Sequence, residues 1–255
     1  MPREKGLHKA LAFWHEFLIM RLVKPWAAWS ISPTSCSRTS HFMQNPESKR
    51  NAFVAIAGNI GVGKTTLTRL LAERFGWTVF FEKEVHNPYL ADFYKDMSRW
   101  AFHSQLFFLK ERLKDHLRIQ ASNNTICVQD RTIYEDAEIF AQNLFDRGLM
   151  LERDFACYLD LYRSISQALQ PPAVFVYLRA SIWTLISRIR RRGRDYEQNI
   201  DKEYLAQLNI AYDHWAKRAA ANHRVLVIET DQHDILKEKE WSEGVLLDIY
   251  RAVQA

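Results

Sequence analysis

The sequence predicts an α/β fold in which a five-stranded parallel sheet is flanked by helices on both faces. Three observations lead there. Short apolar runs rich in Val, Ile and Phe recur near 52–57, 78–82, 125–129, 173–178 and 224–229. Helical patterns separate them near 64–75, 97–121, 134–145, 150–169, 181–192 and 201–220, with a last one near 234–252. Strands that alternate with helices pair in parallel, and strands covered on both faces lose the apolar–polar alternation of a half-exposed sheet. The third observation is the loop Gly58-Asn59-Ile60-Gly61-Val62-Gly63-Lys64-Thr65-Thr66. It lies between the first strand and the first helix.

That loop matches the phosphate-binding pattern G-x-x-x-x-G-K-[ST] at each fixed position. The run Ala52-Phe53-Val54-Ala55-Ile56-Ala57 precedes it, and Leu67, Leu70 and Leu71 follow at helical spacing. The loop therefore opens a helix, where backbone N–H groups lack partners and can face an anion. Lys64 supplies a point charge for the β and γ oxygens, and Thr65 a hydroxyl for Mg²⁺. A chance glycine turn would not need this strand–loop–helix context. The chain is expected to bind a nucleoside triphosphate, ATP in the first instance, together with Mg²⁺.

Length and composition bound the rest. At 255 residues and 47% hydrophobic, the chain is one sizeable domain with a tail. No apolar run reaches 18 residues, so neither a spanning helix nor a membrane partner is expected. Cys36, Cys127 and Cys157 show no metal-ligand spacing and form no even framework, which suits a reducing, cytoplasmic setting. Residues 1–50 hold eight Lys/Arg and three Asp/Glu, a net of +5, whereas residues 51–255 hold 27 of each. The basic balance belongs to the N-terminal segment, and the body offers no bulk charge for binding nucleic acid.

Residues 1–50 form an N-terminal extension, expected to be disordered or weakly helical, and residues 51–255 form the working domain. Leu7 to Val23 is aromatic-rich and stops before Pro25, and a Ser/Thr/Pro-rich stretch follows. Read as a transit peptide over residues 1–42, the segment would send the protein to the mitochondrion. Trp14, Trp26, Trp29 and Glu16 favour an extension of no functional weight, and Met43 could be the true start.

In a parallel sheet, ligand groups gather at the carboxyl ends of the strands. Strand two runs into Glu82, with Glu84 just beyond, and strand three runs into Asp130-Arg131. An acid after a buried strand is where a phosphate-loop enzyme keeps an indirect Mg²⁺ ligand, and Arg131 could reach a phosphate or hold a carboxylate. Each of these alone could be a solvated loop charge. Together, at successive strand ends, they point to a site. Arg188, Arg190, Arg191, Arg192 and Arg194 crowd a helix that Gly193 ends, and Glu197 follows. A solvated basic face is the bland explanation. Beside a phosphate loop, a phosphate-covering lid is the stronger one, because phosphoryl transfer gains most from guanidinium charge on the transferred group. Gln105 and Arg112 lie two turns apart on one helix face, and Asp136 and Phe140 one turn apart on another. An amide, an arginine, an acid and an aromatic could hold a nucleobase by edge and face.

At these residues the chain resembles the deoxynucleoside kinase family, over about residues 51 to 230. The resemblance rests on the Asn59-containing phosphate loop, Asp130-Arg131-Thr132-Ile133-Tyr134-Glu135-Asp136, the stretch Arg188 to Glu197, and Asn87-Pro88-Tyr89-Leu90 with Phe93-Tyr94. The last of these resembles the bacterial branch. The resemblance implies a P-loop kinase fold with an arginine-rich lid, transfer of the γ-phosphoryl of ATP to the 5′-hydroxyl of a deoxynucleoside, a role in nucleotide salvage, and a homodimer built through the helices near 97–121 and 134–169. It also implies roles. Glu82 is the base that takes the hydroxyl proton, with Glu84 as competitor, since the chain reads Glu82-Lys83-Glu84 where the family often has Glu-Pro-Val. Arg131 sits near that base and the phosphates. Tyr94 and Glu197 hold the 3′-hydroxyl. Gln105, Arg112 and Asp136 read the base edge, and Phe140 stacks. Arg188, Arg192 and Arg194 reach the donor phosphates. Arg112 with Asp136 favours a purine or cytosine over thymine. A nucleoside monophosphate kinase of the thymidylate kinase type is the alternative, and it would need extra cations for the acceptor's phosphate. A GTPase-type switch lacks support, because no Asn-Lys-x-Asp motif is present.

Overall fold

The computed structural model describes residues 52–83, 86–123, 125–197 and 200–254. The N-terminal extension and the competing acid Glu84 lie outside the described residues. Five strands form one all-parallel sheet: β1 (Ala52–Gly58), β2 (Thr78–Phe80), β3 (Ile126–Asp130), β4 (Val174–Arg179) and β5 (Val225–Glu229), in the order β2-β3-β1-β4-β5. The chain crosses from one side of β1 to the other after β3, so the crevice beyond the carboxyl ends of β1 and β3 is the natural ligand site.

The strand period of two divides the core between the two faces of the sheet. Phe53, Ala55 and Ala57 of β1 join one cluster, while Val54 and Ile56 join the other. The first face is covered by α3 (Met97–Ala121), which contributes Leu109 and Ile119, and by α8 (Lys202–Ala219), which contributes Leu208, Tyr212 and Trp215. The second is covered by α1 (Lys64–Phe75) with Leu67 and Leu71, and by α9 (Lys239–Gln254) with Val245, Leu246 and Ile249. Between these lie α2 (Leu90–Lys95), α4 (Ile133–Glu135), α5 (Gln142–Asp146), α6 (Glu152–Ser166) and α7 (Ile182–Arg192).

Local chemistry sets the boundaries. Asp96 caps α3 by accepting from the Arg99 N–H at 3.1 Å, and Asp201 caps α8 through the Glu203 N–H at 2.9 Å. Gly193, at φ 72°, closes α7 in the left-handed conformation that glycine adopts without strain. The start of α1 is different. Its cap is Gly63, at φ 110°, and no side chain bonds its first N–H groups. Those donors are left for a ligand.

Three details differ from the sequence expectation. Strand β2 stops at Phe80, so Glu82 stands two residues beyond its end. The short α2 carries Phe93 and Tyr94 where no helix was expected. Asp136 to Ala141 is a π-helical segment between α4 and α5, so Asp136 and Phe140 are set by a wider turn than the α spacing assumed.

Candidate active site

A cavity of about 410 Å³ opens at the carboxyl ends of the strands. One end is lined by loop residues Ile60 to Thr66, and the other by Glu82, Tyr94, Gln105, Arg112 and Asp136. Arg131, Phe140, Arg188, Arg192, Arg194 and Glu197 complete its walls. Residues from many elements and their loops thus converge where the sheet topology places a site.

At the loop end, the buried Lys64 Nζ donates to the carbonyls of Gly58 at 3.0 Å and Asn59 at 3.1 Å. Burial, followed by the nearby Arg131, pulls its ammonium down to about 8, and Asp130, Glu82 and Glu135 oppose that shift. The Thr65 hydroxyl donates to Asp130 Oδ2 at 2.5 Å, while Asp130 Oδ1 is buried with no partner. Burial pushes the Asp130 carboxyl up, against the pull of Lys64. An orphaned oxygen on a desolvated acid beside a threonine hydroxyl suits Mg²⁺, which keeps several waters and takes one or two protein oxygens plus phosphate. Among the described residues, no group of three or more His, Cys, Asp or Glu side chains could hold a metal. A magnesium nucleotide does not require such a cage.

Two loop residues do not face the cavity. Asn59 turns into α8, where its Nδ2 donates to Leu205 O at 2.9 Å and to Asn209 Oδ1 at 2.7 Å. Its Oδ1 accepts from the Ile60 N–H at 2.7 Å. The Gly58 N–H donates to Glu135 Oε1 at 3.3 Å. Both residues brace the loop rather than line it.

The arginines divide their work. Arg188 lines the cavity, yet its donors go to the protein: Nη1 to Val62 O at 2.9 Å and Thr230 Oγ1 at 3.0 Å, Nη2 to Thr230 O at 2.6 Å and His233 O at 3.2 Å. It ties the phosphate loop to the segment after β5. Arg192 Nε donates to Glu197 Oε2 at 3.1 Å, and Arg194 Nη1 to Glu197 Oε1 at 3.4 Å.

At the other end, Glu82 lies between two guanidinium groups. Arg112 Nη2 donates to Glu82 Oε1, and Arg131 Nε is 3.2 Å from the same oxygen. Burial opposes the charge on Glu82, but Arg131, Arg112 and then Lys64 hold its carboxyl down at about 2. Arg112 Nη1 also donates to Asp136 Oδ2 at 2.8 Å. For Asp136 burial wins over Arg112 and pushes the carboxyl up to about 7. Arg131 adopts φ 68°, the left-handed region that a non-glycine residue enters only when its surroundings dictate it. Those surroundings are specific. Its N–H extends the β1–β3 pairing to Ile56 O at 3.0 Å, and its Nη1 donates to the Tyr212 hydroxyl at 2.9 Å. Tyr212 in turn donates to Glu135 Oε1 at 2.7 Å. The guanidinium carbon of Arg131 lies 4.4 Å from the Phe140 ring centre, and that of Arg112 lies 4.7 Å from the Phe108 ring centre.

The expected base readers thus come together. Gln105 joins them, and its buried Oε1 has no partner, so an amide is held ready for a ligand edge. Tyr94 stacks on Tyr196 at 5.9 Å between ring centres, and Tyr94 and the buried Glu197 line the same wall. Sequence reasoning missed the Tyr212–Glu135 relay, Tyr204 in the wall, and the segment from Thr230 to Leu236 at the loop end. The last of these follows β5, so the strand-end rule could have flagged it.

A phosphate-binding loop that shares one cavity with a half-buried, arginine-flanked carboxylate defines a P-loop phosphotransferase acting on a small acceptor. Comparison with known proteins narrows that class. The family model for deoxynucleoside kinases matches residues 54–254. The chain is 35% identical over 199 residues to a deoxyadenosine/deoxycytidine kinase of Bacillus subtilis, a match covering 77% of this chain and 91% of that one. It is 38% identical over 168 residues to a deoxyadenosine kinase of Dictyostelium discoideum, covering 65% of this chain and 67% of the relative. The solved structure of a deoxyadenosine kinase from M. mycoides with products dCMP and a flexible dCDP superposes with a TM-score of 0.69 at 30% identity, covering 77% of this chain and 99% of that one. The chain belongs to the deoxynucleoside kinase family and is an enzyme of that type, an ATP-dependent deoxynucleoside phosphotransferase. These matches do not favour the nucleoside monophosphate kinase alternative.

Proposed function

We propose that the enzyme moves the γ-phosphoryl of ATP to the 5′-hydroxyl of a deoxynucleoside whose base carries an exocyclic amine, with Glu82 as the proton acceptor. The observation that carries this reading is Glu82 itself, half-buried and held between Arg112 and Arg131 in the cavity that the phosphate loop lines. Held at about 2, Glu82 is ionised at every working pH. It is a weak base, so the proton leaves the hydroxyl only as the new O–P bond forms and the alcohol becomes acidic. Arg131 stays beside it and offsets charge on the entering phosphoryl. Lys64 and the open N–H groups of α1 hold the donor's phosphates.

Asp136 would accept from an exocyclic amine, which adenine and cytosine carry and thymine lacks, and Gln105 would pair with the rest of that edge. Arg131 occupies one face of the Phe140 ring, so the other face is the stacking surface. Tyr94 and Glu197 would bind the 3′-hydroxyl. Thr65 and Asp130 would hold Mg²⁺, which supplies Lewis-acid charge on the donor phosphates when bound. Arg192 and Arg194 form the lid, and Arg188 anchors its base.

Exposed Leu117 on α3 and Leu161 on α6 support a homodimer through those helices, which sedimentation would test by its mass. The free thiols of Cys127 and Cys157, and a nucleotide-level chemistry, support a cytoplasmic salvage role. Among the described residues no helix is long and apolar enough to cross a membrane.

The test compares deoxynucleosides with their monophosphates as acceptors, for the wild type and for Glu82→Gln. Nucleosides should turn over and monophosphates should not. The variant should lose about 10²–10⁴ in kcat, with the KM for ATP within about threefold. Wild-type kcat in that variant would remove Glu82 from the role.

A further inference from the structure

Glu82 stands on backbone that the sheet no longer holds. β2 is an edge strand whose last paired residue, Phe80, faces Gln129. Two residues on, the ladder is absent. Glu82 is fixed by Arg112 and Arg131, two groups that also line the acceptor's cavity. An entering hydroxyl must therefore compete for the contacts that hold the base in place.

The next residue turns the other way. Lys83 Nζ lies 2.8 Å from Asp115 Oδ1 and 3.6 Å from Glu111 Oε2 on α3. The Asp115 side chain is only 7% exposed and that of Lys83 32%, so the pair is half-buried and only partly screened by water. Arg118, at 3.2 Å, is the other partner of Asp115 and is itself 66% exposed. Arg112 and Asp115 are three residues apart and share a helix face. Two successive loop residues therefore close on one face of α3 with opposite signs, Glu82 on Arg112 and Lys83 on Asp115. Lys83 does not line the substrate cavity, and it carries the one contact of this clasp that an acceptor would leave undisturbed.

We infer that Lys83 is a positioning residue, whose ion pair with Asp115 clamps the backbone of Glu82 to α3 and keeps the carboxylate aligned while an acceptor displaces its arginine contacts. This rests on the reading of Glu82 as the base. The clamp also ties the base to the helix that presents Gln105 and Arg112, so the reacting hydroxyl and the bound base share one frame. A misplacement of about 1 Å at such a group costs about 10²-fold in rate.

The experiment measures kcat, both KM values and Tm for Lys83→Met, Lys83→Arg, the charge swap Lys83→Asp with Asp115→Lys, Glu82→Gln, and Glu82→Gln with Lys83→Met. Lys83→Met should lose about 10- to 100-fold in kcat with both KM values within about threefold. Lys83→Arg should keep the rate and the swap should regain much of the loss, which also decides the matter if the Met variant folds poorly. In the Glu82→Gln background, Lys83→Met should add less than about twofold, since the base it aligns is gone. Unchanged kcat in a folded Lys83→Met protein, or an equal loss in both backgrounds, would overturn the clamp. Normal turnover in Glu82→Gln would instead overturn the base, and the clamp with it.

Discussion

Asp136→Asn tests the proposed base-reading end of the site through pH. Asp136 is buried among Arg112, Arg131, Glu82, Glu135 and Tyr158, and burial lifts its carboxyl to about 7 despite Arg112. An exocyclic amine needs the ionised acid as acceptor. With a pKa of about 7, the ionised fraction is about 9% at pH 6 and about 91% at pH 8, and apparent affinity scales with that competent fraction. The KM for deoxyadenosine or deoxycytidine should therefore fall about tenfold between pH 6 and pH 8. The folded-state value lies above that of an ordinary aspartate, so the stability from Asp136 is present in acid and is lost as pH rises through about 7. Between pH 6 and pH 8 the loss is the same tenfold, about 1 kcal/mol. Asp136→Asn should flatten both profiles and raise the acceptor KM at pH 8. The assay is initial rate at saturating ATP, because Lys64 also sits low, at about 8, and bound phosphate keeps it charged. Thermal melts of the free protein over the same range complete it. A wild-type KM that stays flat from pH 6 to pH 8, or an Asn variant that keeps the wild-type slope, refutes the reasoning.

Arg188→Met removes four hydrogen bonds that join Val62 to Thr230 and His233. It should cost about 1–3 kcal/mol in thermal stability and raise the KM for ATP, while the acceptor KM stays within about threefold. Thr65→Val leaves both oxygens of Asp130 without a hydrogen-bond partner. Its activity should require a higher Mg²⁺ concentration, read as a right-shifted magnesium titration at fixed ATP.

What was legible in the sequence was local. The phosphate loop, the five strands, the Asp130-Arg131 corner and the arginine-rich helix each announce themselves within a dozen residues. The remainder depends on contacts between distant segments. Nothing near Arg188 says that its donors end on carbonyls 42 and 45 residues away, whereas those of Arg192 reach a carboxylate five residues on. Asn59 fits the loop pattern, yet its side chain serves α8, 146 residues on. The left-handed turn at Arg131 is imposed by Ile56 and Tyr212, and propensity argues against it. β2 reads as five residues and pairs over three, because at an edge only β3 holds it.

The charge arrangement explains why these long-range contacts matter to chemistry. Each carboxylate assigned to the acceptor is already paired with an arginine before anything binds: Glu82 and Asp136 share Arg112, and Glu197 takes Arg192 and Arg194. A bare carboxylate in so buried a cavity would protonate or draw in water. Pairing keeps Glu82 ionised and aimed, but a shared arginine also couples the two ends of the acceptor. An amine that draws on Asp136 would leave more of Arg112 to Glu82, so recognition of the base would reach the group proposed to meet the 5′-hydroxyl. A base that cannot donate makes no such demand on Asp136, and Arg112 stays divided between the two acids. Discrimination between bases should therefore show in kcat as well as in KM, and Asp136→Asn should narrow the kcat difference between amine-bearing acceptors and thymidine.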